Sequence, residues 1–174
     1  TIVTTEMARR VCEVNNVKMF ETFTGFKFIA ECIEKNGGEG FLLGYEESYG
    51  YLMGDFCRDK DAVTASMMIA EMAAYYRNEG KSLYEVMEDI YAEHGMYLNA
   101  LDNYAFKGSS GMVKMGEIMD NLRNNPPEEI AGLKVLSVSD YKKSEKICRV
   151  TGEKTVIDLP SSNVLYFALE NSCG

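Results

Sequence analysis

The sequence lacks an excess of positive charge. Its 174 residues contain 18 lysines and arginines against 27 aspartates and glutamates, so the formal net charge is 18 − 27 = −9. A nucleic-acid-binding protein needs basic surface to contact phosphates, and this chain is a poor fit. The chain also lacks an apolar run of the roughly 20 residues that a membrane span requires. It shows no charged-then-apolar leader before a cleavage site. We therefore expect no nucleic-acid partner, no membrane span and no secretory signal.

Paired cysteines are missing as well. The five cysteines are odd in number, scattered and never in a CxxC pair: Cys12, Cys32, Cys57, Cys148 and Cys173. This pattern argues against a disulfide framework or a zinc site and favours a reducing, cytoplasmic compartment. We expect these side chains to be ordinary buried or half-buried thiols.

Common catalytic signatures are absent too. The sequence has no HExxH motif, no P-loop and no Ser-His-Asp set. Its one histidine, His94, precedes Gly95 at a predicted helix end, where the helix dipole favours a positive charge. We expect His94 to have a capping or surface role.

What the chain contains is typical of a folded protein. Hydrophobic residues make up 46% and charged residues 26%, and the length is enough for one ordinary domain or two small ones. The chain moves from Thr1 straight into a predicted apolar strand and ends at Gly174 soon after another. We therefore expect it to be a piece of a longer protein.

Strand and helix patterns alternate over residues 1–95. Strands are predicted at 2–3, 17–20 and 41–43, and helices at 6–14, 26–36, 61–79 and after the capping box that Ser82 and Glu85 form. The third of these helices is apolar nearly all round, which is typical of a buried helix. Strands and helices alternating with short joints predict an α/β domain, with a mainly parallel sheet and flanking helices.

The pattern changes after Gly95, where we expect a domain boundary. Residues 96–106 have strand periodicity, and a helix is predicted from Ser109 or Ser110 to the stop at Pro126-Pro127. Its stripe, Met112, Met115 and Met119, is expected in the core. Strands at 135–138 and 164–169 complete a smaller α+β domain with an antiparallel sheet. Residues 1–95 carry a net charge of 9 − 17 = −8, and residues 96–174 carry 9 − 10 = −1.

The densest chemical candidate is the segment from Gly44 to Gly50. It follows an apolar strand and opens a long connection, which favours a functional loop over a linker. The two oxygens of Glu46 can accept hydrogen bonds from adjacent hydroxyls, and Ser48 can complete a diol contact. Gly44 and Gly50 would let the backbone approach a ligand. These residues suggest a loop that binds a sugar or polyol; the alternative is a solvated acidic turn.

Two further segments carry candidate chemistry. In Arg58-Asp59-Lys60-Asp61, Asp61 is predicted to cap a helix, and Lys60 could hold a phosphate or donate a proton if its pKa is lowered. The alternative is a surface charge cluster. In Thr24-Gly25-Phe26-Lys27, free N–H groups at a helix start suit an oxygen-rich ligand. The alternative there is a simple turn with an N-cap.

Taken in order, these three segments resemble the third domain of the α-D-phosphohexomutases, the phosphoglucomutase/phosphomannomutase family. The resemblance covers nearly all of the chain. It implies that residues 1–95 are most of the third domain, truncated at its start, and residues 96–174 most of the fourth, ending before its phosphate-binding loop. The chain would then be a C-terminal fragment that lacks the first and second domains.

The resemblance also implies an activity. Members of the family transfer a phosphoryl group between two positions of a hexose phosphate through a phosphoserine in the first domain. Mg²⁺ is held by an Asp-rich loop in the second domain, so its ligands would lie outside this fragment, and we expect no metal ligands within it. The fragment alone is expected to be inactive, its partners being the sugar phosphate and the two missing domains.

The resemblance assigns roles to residues that match the motifs. Glu46 and Ser48 are expected to bind sugar hydroxyls, Glu47 to support the loop, and Lys60 to lie near the reacting oxygen. The other substrate-binding positions it implies are Thr24, Gly25 and Arg58. Tyr45 stands where the usual motif has Gly, which leaves glucose, mannose or pentose preference open. The competing hypothesis is a non-catalytic binding module whose acidic loop holds a metal or a partner.

Overall fold

The computed structural model describes residues 1–172 and 174. The chain divides into two compact units, 1–101 and 102–174. The boundary expected near Gly95 stays a prediction, as does the assignment of each unit to a family domain.

The first unit is built from helices and one strand pair. Its elements are α1 (Met7–Val14), α2 (Phe26–Lys35), β1 (Leu43–Tyr45), β2 (Tyr51–Met53), α3 (Ala62–Asn78) and α4 (Leu83–His94). The four helices lie where their sequence patterns predict them. The two strands pair antiparallel, with Leu43 opposite Met53 and Tyr45 opposite Tyr51.

The prediction of a mainly parallel sheet is not confirmed. Among the described residues of this unit, the only strand pair is the antiparallel hairpin of β1 and β2. Segments 2–3 and 17–20 have no strand structure, although the N–H of Ile2 donates to Thr22 O at 2.9 Å. Leu42 and Leu43 are 64% and 49% exposed. They therefore lack the cover on both faces that a buried parallel strand requires.

The core of this unit joins α2 to the hairpin. Phe26, Ile29 and Ile33 of α2 form a buried cluster with Leu52 of β2, which is fully buried. Burying a side chain of that size stabilises the fold by about 1.5–3 kcal/mol. A Cβ on Gly44 would lie 2.7 Å from Ile29 Cγ2. Glycine at this position therefore lets α2 pack closely on β1 and hold the hairpin in place.

Helix α3 begins as predicted but is not buried as predicted. Asp61 is its N-cap, since its Oδ1 accepts from Val63 N–H at 2.9 Å. Only Ala65 of this helix is buried. Its other large apolar side chains are exposed, among them Val63, Met67, Met68, Ile69 and Met72. A two-stranded hairpin is too narrow to cover a helix that carries apolar residues around its whole circumference.

The second unit contains the antiparallel sheet that the sequence predicts. Its elements are α5 (Gly108–Asn124), β3 (Glu129–Ile130), β4 (Leu133–Asp140), β5 (Glu145–Cys148), β6 (Lys154–Val156) and β7 (Leu165–Leu169). Strand β4 lies between β5 and β7, β6 extends the sheet from β5, and every pairing is antiparallel. Val135, Ser137 and Ser139 of β4 are buried at alternate positions, as one face of a strand should be.

Two expectations about apolar residues are wrong. Residues 96–106 form no strand, and Leu98 and Leu101 are 80% and 82% exposed. Met112 and Met115 of the predicted core stripe are also exposed. Helix α5 is instead joined to the sheet at its last turn, where Arg123 Nε donates to both carboxylate oxygens of Asp140 at 3.0 Å. A charged contact at one end of the helix does not bury the stripe along its side.

The thiols and the histidine can be located directly. The cysteines at 12, 32, 57 and 148 are unpaired and half-buried, which confirms their expected state, and Cys173 lies outside the described residues. His94 ends α4, but its side chain is only 8% exposed, so a surface role is wrong. None of the helices in the described part of the chain combines the length and apolar character that crossing a bilayer demands.

Candidate functional site

The hairpin loop of residues 46–50 has closely fixed ends. The rings of Tyr45 and Tyr51, the cross-strand pair at the end of the ladder, stack with centroids 6.4 Å apart and an angle of 21° between their planes. Beyond this pair, Glu46 N–H donates to Gly50 O at 3.0 Å. The two ends of the loop are therefore held close together at the end of the strand pair.

A buried carboxylate lies at the base of this loop. Glu46 is only 4% exposed, and its Oε1 accepts a hydrogen bond from Lys60 Nζ at 2.7 Å. The Lys60 side chain is 53% exposed. The pair thus has its negative end inside the protein and its positive end reaching solvent.

The start of α3 positions Lys60 beside the hairpin. Asp61 caps this helix, and its own N–H donates to Tyr51 O at 2.8 Å on β2. Lys60 directly precedes Asp61, so the hydrogen bond that fixes the cap also holds Lys60 next to the loop. The helix cap predicted at Asp61 thus also positions Lys60 in the candidate site.

The two charges shift each other's pKa. The hydrogen bond from Lys60 lowers the pKa of Glu46 below its ordinary value, although burial opposes the shift. The hydrogen bond to Glu46 raises the pKa of Lys60 above its ordinary value. Lys60 is therefore an ammonium at neutral pH. Proton donation would be favoured by a lowered pKa of Lys60. Glu46 shifts this pKa in the opposite direction.

Two more groups converge on the same carboxylate. Hydrogen bonds from the Ser48 side chain and from the Gly25 backbone also lower the pKa of Glu46. Gly25 is the N-cap of α2, with a φ of 117° that favours glycine, while Ser48 is exposed on the loop. One residue from each of the three sequence segments, Gly25, Glu46 and Lys60, therefore takes part in a single cluster.

Gly50 has a different role from the one its sequence context indicates. A Cβ at this position would lie 2.7 Å from Glu46 Oε1 and 2.9 Å from Lys60 Cδ. The absent side chain thus leaves room for the ion pair, whereas the sequence indicated only that the backbone could approach a ligand. Periodicity and motif spacing contain no signal for this steric requirement.

Three other predicted residues do not contact the Glu46 carboxylate in this cluster. Thr24 is exposed beside Gly25. The Arg58 guanidinium pairs with Glu34 of α2 and donates to the carbonyl oxygens of Asp55 and Cys57. Glu47 Oε2 accepts from the Thr1 hydroxyl at 2.8 Å. Arg58 and Glu47 are thus engaged in contacts that hold loop segments to the rest of the unit.

In residues 1–172 and 174, no group of three or more His, Cys, Asp or Glu side chains is arranged to hold a metal ion. The carboxylate of Glu46 is paired with the ammonium group of Lys60. A carboxylate paired in this way is a poor ligand for a metal cation.

Known proteins include relatives that align with nearly all of the chain. Residues 1–94 match the family model for the α/β/α domain III of phosphoglucomutase and phosphomannomutase. Over 166 residues, the chain is 39% identical to a phosphoglucomutase of Staphylococcus haemolyticus, 38% to one of Staphylococcus aureus and 37% to one of Staphylococcus epidermidis. These alignments cover 95% of this chain but only 30% of each relative. No solved structure matches the chain.

Proposed function

Because the chain belongs to the phosphoglucomutase/phosphomannomutase family, we propose that the protein containing it transfers a phosphoryl group between the 1- and 6-positions of a hexose phosphate. Curated relatives are named phosphoglucomutase, and the chain spans about 30% of their length. We place the phosphoserine, the Mg²⁺ ligands and the phosphate-binding loop in parts of the protein outside this chain. Residues 1–95 are then most of the third domain and residues 96–174 most of the fourth, in a cytoplasmic enzyme whose described cysteines are unpaired.

The role proposed for this chain is recognition of sugar hydroxyls. The observation that carries it is the convergence of Glu46, Ser48 and Lys60 at one hairpin end. Ser48 and Lys60 are exposed above a buried Glu46, so they are the groups that a hydroxyl meets first. A carboxylate offers about four acceptor positions. Lys60 donates to one of them at 2.7 Å, and a sugar hydroxyl would take another.

Lys60 is proposed to act on the oxygen that exchanges the phosphoryl group. Its ammonium is held at one place by Glu46. A fixed positive charge stabilises negative charge that develops on an oxygen during transfer, and it needs no rearrangement at that moment. The raised pKa of Lys60 keeps this charge in place at neutral pH.

The remaining motif residues are proposed to line the sugar site. Thr24 is exposed next to Gly25, whose backbone already contacts Glu46, so its hydroxyl is available to a ligand. Arg58 has weaker support as a substrate-binding residue, because its guanidinium is engaged by Glu34. Glu47, bonded to Thr1, is proposed to support the loop.

The test uses the full-length protein that contains this chain. We expect Glu46→Gln and Ser48→Ala each to lower kcat/KM for glucose 1-phosphate by about 100-fold, the order of one well-placed transition-state contact. Glu88→Gln, at an exposed position of α4, serves as the surface control and should change it by less than about threefold. His94→Asn, outside the candidate site, should lower it less than either Glu46→Gln or Ser48→Ala. Equal losses in all four variants would refute the assigned roles.

The isolated chain provides a second measurement. It should show no mutase activity in a coupled assay, because the groups proposed to carry the phosphoryl lie outside it. Turnover above the blank would refute this division of labour. Mannose 1-phosphate and ribose phosphate as alternative substrates would define the sugar preference.

The competing hypothesis, an acidic loop that holds a metal or a partner, has less support. It needs carboxylates free to bind a ligand, whereas Glu46 is bonded to Lys60 and Glu47 to Thr1.

A further inference from the structure

Tyr49, at the tip of the hairpin loop, has an unusual backbone conformation. Its φ is 62°, in the left-handed region, where a side chain crowds the following carbonyl group. Glycine adopts this region without that cost. Yet the glycine of this loop is the next residue, Gly50, whose φ is not in the left-handed range.

The other residues with this conformation are of a different kind. Within the described part of the chain, the remaining non-glycine residues with positive φ are Asn16, Ala131, Ser144 and Asn171. All four have short side chains, and Asn and Ser are common in turns. Tyr49 alone is large, and for a bulky residue a positive φ is a genuine outlier.

The fold does not account for a tyrosine here. Its side chain is 86% exposed, so it contributes little to the core. Gly50 has a steric reason, namely the room that Glu46 and Lys60 need. Tyr49 has no corresponding reason within the unit. Strain retained at one residue of a candidate site points to a function of that residue.

We propose that Tyr49 is a specificity-determining residue that packs its ring against the C–H face of the bound sugar. This inference rests on the proposed function, because it takes the sugar to be held by Ser48 and Lys60. A pyranose presents hydroxyls at its edge and C–H groups on its faces. The face of an aromatic ring carries partial negative charge, which attracts polarised C–H groups, and the ring is apolar enough to displace water from them.

The position of Tyr49 suits this contact. It directly follows Ser48, an exposed residue whose side chain lowers the pKa of Glu46. Ser48, Tyr49 and Lys60 are all exposed, so a ligand that reaches the two polar groups also meets the ring. The hydroxyl-binding groups fix the edge of the sugar, and Tyr49 would select for a cyclic ligand that presents a C–H face.

The experiment compares Tyr49→Phe, Tyr49→Ala and Tyr49→Gly in the full-length protein. We expect Ala and Gly to raise KM for glucose 1-phosphate about tenfold, with Phe within twofold of wild type because the ring is kept. The same Ala variant should weaken inhibition by glucose 6-phosphate about tenfold but inhibition by the open-chain glucitol 6-phosphate less than twofold. Tyr49→Gly should raise Tm, because it removes the strained side chain.

The possible outcomes separate this inference from the function on which it rests. If Tyr49→Ala leaves KM unchanged while Glu46→Gln still lowers kcat/KM, the ring contact is refuted and the proposed function stands. Equal weakening of both inhibitors, or a lower Tm in Tyr49→Gly, would indicate a structural role and would also refute the contact. If neither Glu46→Gln nor Ser48→Ala lowers activity, the proposed function itself fails.

Discussion

The ammonium group of Lys60 lies 2.7 Å from the carboxylate of Glu46 and reaches it by passing over Gly50. This contact connects the hairpin loop to the segment that starts α3. The Glu46 side chain is buried and the Lys60 side chain is half exposed. A buried carboxylate depends on its partner far more than an exposed one does, because solvent cannot replace the lost hydrogen bond.

The first prediction concerns the charge on Glu46. Replacing Lys60 by methionine removes the largest cause of the lowered pKa, while burial still raises it and Ser48 and the Gly25 backbone still lower it. We expect the pKa of Glu46 to rise in Lys60→Met relative to the wild type, measured from the carboxyl carbon shift by NMR. Lys81→Met, which removes an exposed lysine paired with Asp89, should leave it unchanged. An unchanged pKa of Glu46 in Lys60→Met would contradict the pairing.

The second prediction follows from the direction of these shifts. The pKa of Glu46 is lowered in the folded state, so its contribution to stability is present above its ordinary value of 4.5 and is lost as pH falls through the folded-state value. Urea unfolding of the wild type and of a Glu46→Gln/Lys60→Met double variant should therefore differ at pH 7 and converge in acid. A difference that stays constant down to pH 2 would show that the pair does not titrate this way.

The third prediction is steric. Gly50→Ala places a methyl group 2.7 Å from Glu46 Oε1, so the ion pair must shift. We expect a loss of about 2 kcal/mol in the free energy of unfolding, as for other overpacked sites. Gly116→Ala, in α5 with open space around the added carbon, is the matched control and should be neutral or stabilising. Equal effects of the two substitutions would argue against the close approach.

The fourth prediction concerns the second unit. The side chains of Arg123 and Asp140 are 5% and 11% exposed, and Arg123 also donates to Asn163 at 2.7 Å. Arg123→Met leaves a nearly buried carboxylate without its main partner, and we expect a loss of about 3 kcal/mol in the free energy of unfolding. Lys154→Met breaks an exposed pair with Glu145 and should cost less than about 1 kcal/mol. Similar losses for the two variants would contradict the conclusion that the Arg123–Asp140 pair holds the end of α5 to the sheet.

The helices could be predicted from sequence because their signals are local. Asp61 and the Ser82–Glu85 capping box satisfy N–H groups within a few residues, so the start of α3 and of α4 can be identified without knowing the rest of the chain. The sheet of the first unit could not. A short apolar run such as 41–43 fits a buried strand or a half-exposed approach to a hairpin equally well, and the difference depends on what covers it.

The residues of the candidate site could be proposed from the sequence, but the contacts between them could not. Glu46 and Ser48 stood out because their chemistry suits a polyol, and Lys60 because it could hold a phosphate or donate a proton. That Glu46 is 4% exposed and already bonded to Lys60 depends on how α3 joins β2, which is a long-range relationship. Arg58 shows the converse. It lies in the right motif, but its guanidinium pairs with Glu34, and two surface charges from different segments give no sign of this in the sequence.

The bond from Glu46 N–H to Gly50 O has a bearing on how the loop can vary among related proteins. Inserting or deleting one residue between these positions would require a different turn and would disturb that bond. Under the proposed function, selectivity at this hairpin would therefore diverge by exchanging side chains, above all at Tyr49, more readily than by changing the number of residues.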